Sequence, residues 1–430
     1  MNTKTTLTLI LSILIFHTDI YAEPSIRIVT NSPLVYSSPN SNCDAEICIE
    51  LLNLINNSKH TIDFAVYGLR GQNEVLNTLI AAKNRGVSIR GVIDKDVRGK
   101  TYYSDTYLLE ENFDAVKSDY EKDLNTLSLL KNKEYADKCE RPEGSEGPLQ
   151  CFEGKGYASK EKLKFSGDIM HNKFFIIDGE YIWTGSANIS DTGTGGYNAN
   201  VVASIKSKYL AEYYLIEFEQ MFNDGSFHRS KKKLKKQEIK TDIDGQEIEL
   251  FFSPQGYAMY RGVIPLIKEA NKSIDISMFF LTHKNVSKEL VAAKNKGINV
   301  RVIIDATSAT NGYSKHQYLR DNGISLKVEN WGGKMHMKSA IIDKKHLIVG
   351  SMNWTSAGES KNDENTLIIK NFKGAPKYQR FYNLMWNSIP DKWLREDPLP
   401  ESKDSGTSCY DGIDNDFDGK IDTKDQNCIN

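Results

Sequence analysis

The 430-residue sequence predicts an α/β protein with two homologous lobes, each a mixed sheet covered by helices. One observation is an internal repeat, since residues 81–94 read AAKNRGVSIRGVID and residues 292–305 read AAKNKGINVRVIID. The other is the order in which strand-like and helix-like spacings of apolar residues follow each other along the chain. An apolar, β-branched run at 62–69 precedes apolar residues at helical spacing up to Gly86, and a second apolar run follows at 87–94. Strand, helix, strand is the order that predicts such sheets.

The first residues predict a secretory signal. An apolar run from Leu7 to Phe16 leads to Ala22, the last residue before Glu23, and this arrangement is typical of a signal peptide over residues 1–22. The alternative, an N-terminal membrane anchor, needs roughly 20 apolar residues, about twice the length of this run. We therefore expect a secreted or periplasmic protein.

The rest of the chain is long enough for two domains. The repeat places an N-terminal lobe at 23–229 and a C-terminal lobe at 248–392. The first lobe is expected to carry an insertion at about 98–165, either over the functional face of the sheet or as a surface elaboration. The lysine-rich segment 230–247 is interpreted as a solvated basic linker, or else as a phosphate-attracting patch. An acidic tail follows at 393–430.

The six cysteines fall into three pairs that are close in sequence: Cys43 with Cys48, Cys139 with Cys151, and Cys409 with Cys428. In an oxidising compartment this spacing predicts three short-loop disulfides. A zinc site is the competing interpretation, but the sequence has no Cys-x-x-Cys and no histidine near a pair. The formal net charge of -2 does not indicate a nucleic-acid partner.

A polar motif occurs at the same place in both copies. Residues 171–178 read HNKFFIID and are followed by GSAN at 185–188. Residues 336–343 read HMKSAIID and are followed by GSMN at 350–353. Because residues two apart in a strand share a face, the histidine and the lysine of each motif are expected to point the same way.

Both motifs resemble those of the phospholipase D superfamily, His-x-Lys-x-x-x-x-Asp followed by Gly-Ser-x-Asn, and the resemblance covers about residues 33–390. It implies α-β-α sandwich lobes related by a pseudo-two-fold axis, with both histidines facing one phosphate. It also implies a covalent phosphohistidine on His171, with His336 as the general acid. The predicted catalytic set is His171, Lys173, Asp178, His336, Lys338, Asp343 and Glu364, and the predicted substrate-binding set is Ser186, Asn188, Ser351 and Asn353.

These residue types suit a phosphodiester. An anionic phosphate repels nucleophiles, so cleavage needs positive charge at the non-bridging oxygens, a nucleophile, and an acid for the leaving oxygen. Lysines, asparagine amides and histidines supply these groups without a metal, so no cofactor is expected for catalysis. Asp178 and Asp343 are expected to support the strands and lysines rather than to react. With both half-sites on one chain, a monomer without an obligate protein partner is expected.

The two copies differ after the second motif element. Glu364 matches an acid that in the superfamily orients a histidine ring, whereas the corresponding place in the first copy is assigned to Ala199. The two histidines are therefore expected to have unequal neighbours.

The tail contains a separate motif, DNDFDGKIDTKD at 414–425. Its oxygen donors and its glycine resemble an EF-hand-like calcium loop of extracellular repeats. The alternative is a merely acidic, disulfide-closed tail, and Pro398 and Pro400 predict a flexible tether before it. The candidate structural-calcium ligands are Asp414, Asp416, Asp418, Asp422 and Asp425, with the Lys420 carbonyl.

Three classes of function follow from these patterns. A secreted phospholipase D-type phosphodiesterase, acting on phospholipid head groups at a membrane surface, is favoured because the chain has an export signal, carries both motifs and is not notably basic. A secreted or periplasmic endonuclease of the same superfamily, with nucleic acid as its substrate, is the alternative that the lysine run supports. A non-catalytic calcium-dependent binding protein is the third, and two intact motifs argue against it.

Overall fold

The computed structural model describes residues 25–95, 101–119, 139–140, 150–151, 168–234 and 239–429. Two large mixed sheets with helices packed on them form two lobes, as the sequence predicts. The predicted signal peptide and most of the predicted insertion lie outside the described residues. Among those residues, none of the helices combines the length and the apolar composition that a membrane span requires.

The first lobe is built on a seven-stranded sheet. The strands of the lobe are β1 (Ile26–Asn31), β2 (Thr61–Val66), β3 (Leu69–Arg70), β4 (Ser88–Ile93), β5 (Val116–Ser118), β6 (Cys139–Glu140), β7 (Gln150–Cys151), β8 (Lys173–Ile177), β9 (Tyr181–Gly185), β10 (Ile189–Ser190) and β11 (Asn200–Lys206). Its helices are α1 (Glu46–Asn57), α2 (Asn73–Asn84), α3 (Tyr107–Asn112) and α4 (Lys208–Phe222), with a 3-10 turn at His228–Ser230. The order in the sheet is β1-β11-β9-β8-β2-β4-β5. Two short pairs, β3 with β10 and β6 with β7, lie outside this sheet.

The second lobe repeats this order. Its strands are β12 (Ile239–Ile243), β13 (Gln246–Ser253), β14 (Ser273–Met278), β15 (Asn299–Ile304), β16 (Ser325–Val328), β17 (Lys338–Ile342), β18 (His346–Gly350) and β19 (Glu364–Lys370). Its helices are a π-helical turn (Met259–Val263), α5 (Ile264–Glu269), α6 (Lys284–Asn295), α7 (Ala306–Ala309), α8 (His316–Asp321), α9 (Ser356–Ser360) and α10 (Ala375–Ser388), and a 3-10 turn (Asp391–Leu394), a second (Asp422–Lys424) and α11 (Gln426–Ile429) follow. The order is β12-β13-β19-β18-β17-β14-β15-β16, so only the edge strand β12 is extra.

The repeated segment forms the same sequence of elements in both lobes. In each copy a helix (α2 or α6) ends just before a glycine, Gly86 or Gly297, whose φ is +93° or +89°. A side chain is strained at such angles, so glycine lets the chain turn from helix to strand. The strand that follows, β4 or β15, pairs in parallel with β2 or β14.

A shared hydrophobic core fixes the lobes against each other. It contains buried side chains from both sheets and from α4 and α10. The ring of Tyr214 on α4 packs edge-on against Phe174 of its own lobe at 5.1 Å and against Phe252 of the other at 5.0 Å. Removal of this apolar surface from water stabilises the interface, so the two motifs are held in a fixed relation.

The structure corrects two predicted boundaries. The second lobe begins with β12 at Ile239 rather than at 248, so the basic linker is shorter than 230–247. The insertion begins later than 98, because α3 and β5 occupy the same places in the first lobe as α8 and β16 in the second. Lys231 is also buried rather than solvated, since the carboxylates of Glu217 and Asp363 neutralise its charge.

Two of the three predicted disulfides are present, Cys43–Cys48 and Cys409–Cys428. The main chains of Cys139 and Cys151 are opposite each other in the β6–β7 pair. The side chains of that pair lie outside the described part of the chain.

The acidic tail is packed against the lobes, and the predicted flexible tether is wrong. Glu401, just after the two prolines, is completely buried. The Tyr197 hydroxyl donates to Asp411 at 2.5 Å, and the Asn330 amide donates to the Asp404 carbonyl at 2.9 Å. These hydrogen bonds hold the tail on both lobes, which the proline and serine content of the segment could not indicate.

Candidate active site

The two motif strands meet where the lobes join. The His171 N–H donates to the Asp363 carbonyl of the second lobe at 3.0 Å, and the His336 N–H donates to the Ala199 carbonyl of the first lobe at 3.0 Å. Each motif is thus hydrogen-bonded to the residue of the opposite lobe that immediately precedes the strand after the Gly-Ser-x-Asn element. The exchange is reciprocal, because each lobe supplies the acceptor for the main-chain N–H of the other lobe's motif histidine.

Both histidines line one cleft that opens to solvent. Two pseudo-equivalent rings flank them: Tyr67 lies 5.3 Å from His171 and Phe279 lies 5.0 Å from His336, between ring centroids. The cleft is therefore largely aromatic. The other aromatic residues that line it are Tyr102, Tyr103, Tyr197, Phe280 and Phe417.

The two motif lysines are fully buried beside the histidines. Nζ of Lys173 donates to the His171 carbonyl at 2.7 Å, and Nζ of Lys338 donates to the His336 carbonyl at 2.6 Å. Burial lowers the pKa of Lys173 to about 7 and, with the charge of Lys173 beside it, lowers the pKa of Lys338 well below its ordinary value. An anionic phosphate in the cleft would raise the pKa of both lysines again and so favour their charged forms.

His171 has a carboxylate partner from the other lobe. Its Nδ1 lies 2.9 Å from both oxygens of Glu364, and the Ser351 hydroxyl donates to Glu364 Oε2 at 2.7 Å. Burial raises the pKa of Glu364 to about 8, and burial together with the two lysine charges lowers the pKa of His171 well below its ordinary value. The positive charge that develops on the His171 ring during attack favours the ionised form of Glu364. With Nδ1–H donated to that carboxylate, Nε2 of His171 keeps its lone pair for attack.

His336 has an amide partner instead. Its Nδ1 lies 3.1 Å from Asn200 Oδ1, which also accepts from the Ser186 hydroxyl at 2.8 Å. Asn200 begins β11 as Glu364 begins β19, so Asn200 is the counterpart of Glu364, and the assignment to Ala199 is wrong. The error arose because the connection from the Gly-Ser-x-Asn element to this strand is one residue longer in the first copy.

The residues predicted to bind substrate divide into two kinds. Ser186 and Ser351 are fully buried and position the partners of the histidines, which corrects their assignment to substrate. Asn188 lines the cleft, where its Nδ2 donates to the Tyr103 hydroxyl at 2.9 Å. Oδ1 of Asn353 accepts a main-chain N–H at 3.3 Å.

The motif aspartates do not join the histidines, so their place in the catalytic set is wrong. Asp178 and Asp343 follow the far ends of β8 and β17. Asp178 accepts main-chain N–H groups of residues 59–61 at 2.7–3.0 Å, and Asp343 accepts those of residues 271–273 at 2.7–3.2 Å. They anchor the start of the neighbouring strand in each lobe, which is a supporting role on the strands.

Sequence reasoning missed two other aspartates that hold the motifs. Asp94 accepts the Met170 N–H at 2.8 Å, and Asp305 accepts the Met335 N–H at 3.1 Å, immediately before each histidine. Both are the last residue of the repeated segment, and that shared position was the available signal.

The tail gathers most of the predicted calcium ligands. Carboxylate oxygens of Asp416, Asp418 and Asp425 lie within 4.8 Å of one another, and the same holds for Glu401, Asp414 and Asp416. Burial and the neighbouring carboxylates raise the pKa of Asp416 to about 6. The loop is therefore a concentrated negative site.

The structure corrects one member of this set. Asp422 accepts the main-chain N–H groups of Asp411 and Gly412 at 3.1–3.2 Å and belongs to neither group of carboxylates. Glu401 is a member instead, and sequence reasoning missed it because it precedes the loop motif. The other four predicted aspartates, Asp414, Asp416, Asp418 and Asp425, belong to these groups.

Comparison with known proteins identifies the family. The sequence model described as cardiolipin synthase, PLD-like domain, matches residues 51–222 and 263–386, well over half of the chain. The protein therefore belongs to the phospholipase D superfamily of phosphodiesterases, whose members need no cofactor for catalysis.

Relatives of known name match parts of the chain. A mitochondrial cardiolipin hydrolase of Chlamydomonas reinhardtii is 31% identical over 118 residues, which are 27% of this chain and about half, 53%, of the relative. A phospholipase D of Rickettsia prowazekii is 26% identical over 161 residues, 37% of this chain and 78% of that protein. The structure of phosphatidylserine synthase from Haemophilus influenzae matches with a TM-score of 0.57 and 13% identity, covers 88% of this chain and 90% of that one, and shares the fold.

Proposed function

We propose that this protein hydrolyses the head-group phosphodiester of phospholipids through a phosphohistidine on His171. The observation that carries the proposal is the pairing of His171 with the Glu364 carboxylate, in the same cleft as His336. A carboxylate on Nδ1 fixes the tautomer that exposes the Nε2 lone pair, as a nucleophile requires.

The reaction has two balanced steps. In the first, Nε2 of His171 attacks phosphorus, the bond to the leaving oxygen breaks, and His336 gives that oxygen a proton. The Glu364 carboxylate balances the positive charge that the phosphorylated ring then carries. In the second step, His336 takes a proton from water, the water oxygen attacks phosphorus, and the bond to His171 breaks. The products are the head-group alcohol and a phosphomonoester.

The charges around the cleft also support His171 as the nucleophile and His336 as the acid. Burial and the lysines lower the pKa of His336, so its ring is neutral in the free protein. A bound diester offsets the charges of Lys173 and Lys338 and so favours protonation of His336 for its role as acid. The positive charges of the two lysines, buried beside the histidines, favour the negative charge that develops on the non-bridging oxygens.

The lining of the cleft favours a lipid over a nucleic acid. Nucleic-acid affinity depends chiefly on cations along the phosphate backbone. The motif lysines are buried beside the histidines, and the lysine and arginine side chains that line the cleft are Lys334 and Arg70. Arg70 is paired with Asp191 at 2.7 Å, and Lys334 donates to the Thr307 hydroxyl at 2.8 Å. The described lysines of the 230–247 segment do not line it. An aromatic wall suits the apolar part of a phospholipid. A lipid substrate also agrees with the names of the two relatives above, a cardiolipin hydrolase and a phospholipase D.

A substrate panel tests this proposal. We expect the purified protein to release head groups from phosphatidylcholine or phosphatidylglycerol, and to keep substantial activity in chelator, because lysines supply the charge that a metal would provide. Single-stranded and duplex DNA, offered in parallel, should be poor substrates. Cleavage of DNA with both lipids intact would favour the endonuclease alternative. Complete loss in chelator, restored by magnesium or zinc, would contradict the mechanism.

We also propose that the active unit is a monomer, since each lobe supplies one histidine and the partner of the other. Light scattering coupled to gel filtration should give a single chain at enzymatic concentrations, with activity proportional to protein. An equimolar mixture of His171→Ala and His336→Ala should stay inactive. Recovery of activity in that mixture would show that sites form between chains.

We also propose a location outside the cytoplasm, which the predicted export signal and the two disulfides support.

The tail supports a further proposal, that it binds a structural calcium ion at Asp416, Asp418 and Asp425. The observation that favours this is Oδ2 of Asp425, which is buried and has no hydrogen-bond partner in the described part of the chain. Calcium is bound by oxygen ligands of this kind.

A further inference from the structure

We propose that the calcium loop is also a wall of the catalytic cleft, so that calcium binding tightens the binding of the phosphodiester substrate. This inference rests on the proposed function of the cleft and adds a mode of regulation to it. Three features of the loop carry it: the alternation of its side chains, the unpartnered oxygen of Asp425 in the acidic group, and its contacts beside the second motif.

Alternate residues of one segment belong to the ion site and to the cleft. The acidic groups contain Asp414, Asp416 and Asp418. The residues between and before them line the cleft with the two histidines, namely Ile413, Asn415 and Phe417. Because the two sets alternate along the chain, movement of the carboxylates moves the cleft wall with them.

The ion side is arranged for a cation. Asp425 is 1% exposed, and its Oδ2 has no hydrogen-bond partner among the described residues. A buried carboxylate oxygen without a partner is costly unless a positive charge lies beside it. The oxygens of Asp416, Asp418 and Asp425 lie within 4.8 Å of one another, and ligands on opposite sides of one calcium ion are roughly 5 Å apart.

The cleft side is fastened to the second lobe next to its motif. The Asn415 carbonyl accepts from Nζ of Lys334 and from the Thr307 hydroxyl, each at 3.0 Å. The same ammonium lies 4.9 Å from the centroid of the Phe417 ring. Lys334 is two residues before His336, so the loop reaches the cleft beside the general acid.

Calcium and substrate should therefore affect each other. Without a cation, the clustered carboxylates repel one another and favour a wider loop. The ion draws them together and holds Asn415 and Phe417 in the wall that the substrate contacts. Since linkage is reciprocal, the substrate should tighten calcium binding by the same factor.

The test uses a soluble diester, bis(p-nitrophenyl) phosphate, because calcium binds to anionic lipid surfaces. Saturating calcium should lower KM roughly fivefold relative to chelator, with kcat changed much less. Calorimetry on the His171→Asn variant, which cannot turn over, should give the same factor for diester affinity. That second measurement separates a failure of the inference from a failure of the proposed reaction.

Matched variants localise the effect. Asp416→Asn and Asp425→Asn should lose both calcium binding and the calcium response, whereas Asp422→Asn should keep both because Asp422 lies outside the carboxylate groups. Phe417→Ala should bind calcium as the unaltered protein does and lose most of the coupling. Absence of calcium binding would overturn the site. Calcium binding with an unchanged diester affinity would overturn the coupling.

Discussion

His171→Asn is expected to lower kcat by roughly four orders of magnitude or more and to abolish the phosphoryl-enzyme. The covalent step cannot proceed without the Nε2 lone pair, and asparagine offers no nucleophile in its place. The variant should fold, since a smaller polar side chain replaces the imidazole at a cleft open to solvent. Mass spectrometry of enzyme quenched after substrate addition would show the missing phosphoryl group directly.

His336→Asn is the matched control for that experiment. An acid matters in proportion to how poor the leaving group is, so this variant should form the intermediate slowly from a p-nitrophenyl ester and scarcely at all from a choline ester. A phosphoryl group found on His336, with His171→Asn still labelled, would reverse the two roles.

Glu364→Gln is expected to lower kcat by roughly three to four orders of magnitude, the scale seen when a histidine loses the carboxylate that fixes its tautomer. A glutamine amide can donate to Nδ1 of His171 and so move the ring proton to Nε2, where it blocks attack. It also leaves the phosphorylated ring without a balancing charge. Burst kinetics with a p-nitrophenyl ester would show slow formation of the intermediate, and circular dichroism would check the fold.

The counterpart of that change is Asn200→Ala, which removes the amide partner of His336. Its effect should be much smaller with a good leaving group and should grow as the leaving group becomes poorer, because only the acid step is weakened. Equal losses in Glu364→Gln and Asn200→Ala with every substrate would argue against divided roles for the two histidines.

The fold and the reactive pair were accessible from sequence because both depend on local patterns. The spacing of apolar residues and the internal repeat predicted strands and helices in the right order. The alternation of side chains along a strand placed each motif lysine on the same face as its histidine. The partners of the histidines were not accessible in this way. Glu364 reaches His171 across the lobe boundary, and a one-residue difference in a connection concealed Asn200.

Packing explains the remaining differences. The motif aspartates resemble catalytic acids in sequence, but five residues of strand carry them to the opposite end of the sheet from the histidines. Lys231 lies in a lysine run that looks solvated, and only the folded chain brings Glu217 and Asp363 to it. The tail likewise has the composition of a tether, and its buried contacts arise from residues distant in sequence.

Each histidine is hydrogen-bonded to a residue of the other lobe, and this affects how such a site can evolve. In an assembly of two identical chains, one codon specifies the neighbour of both histidines, so a carboxylate gained at one is gained at the other. Here positions 200 and 364 are encoded separately. Joining the halves in one gene therefore allows one histidine to acquire a glutamate while the other keeps an asparagine. The same arrangement ties the halves together, because each lobe holds the residue that the histidine of the other needs.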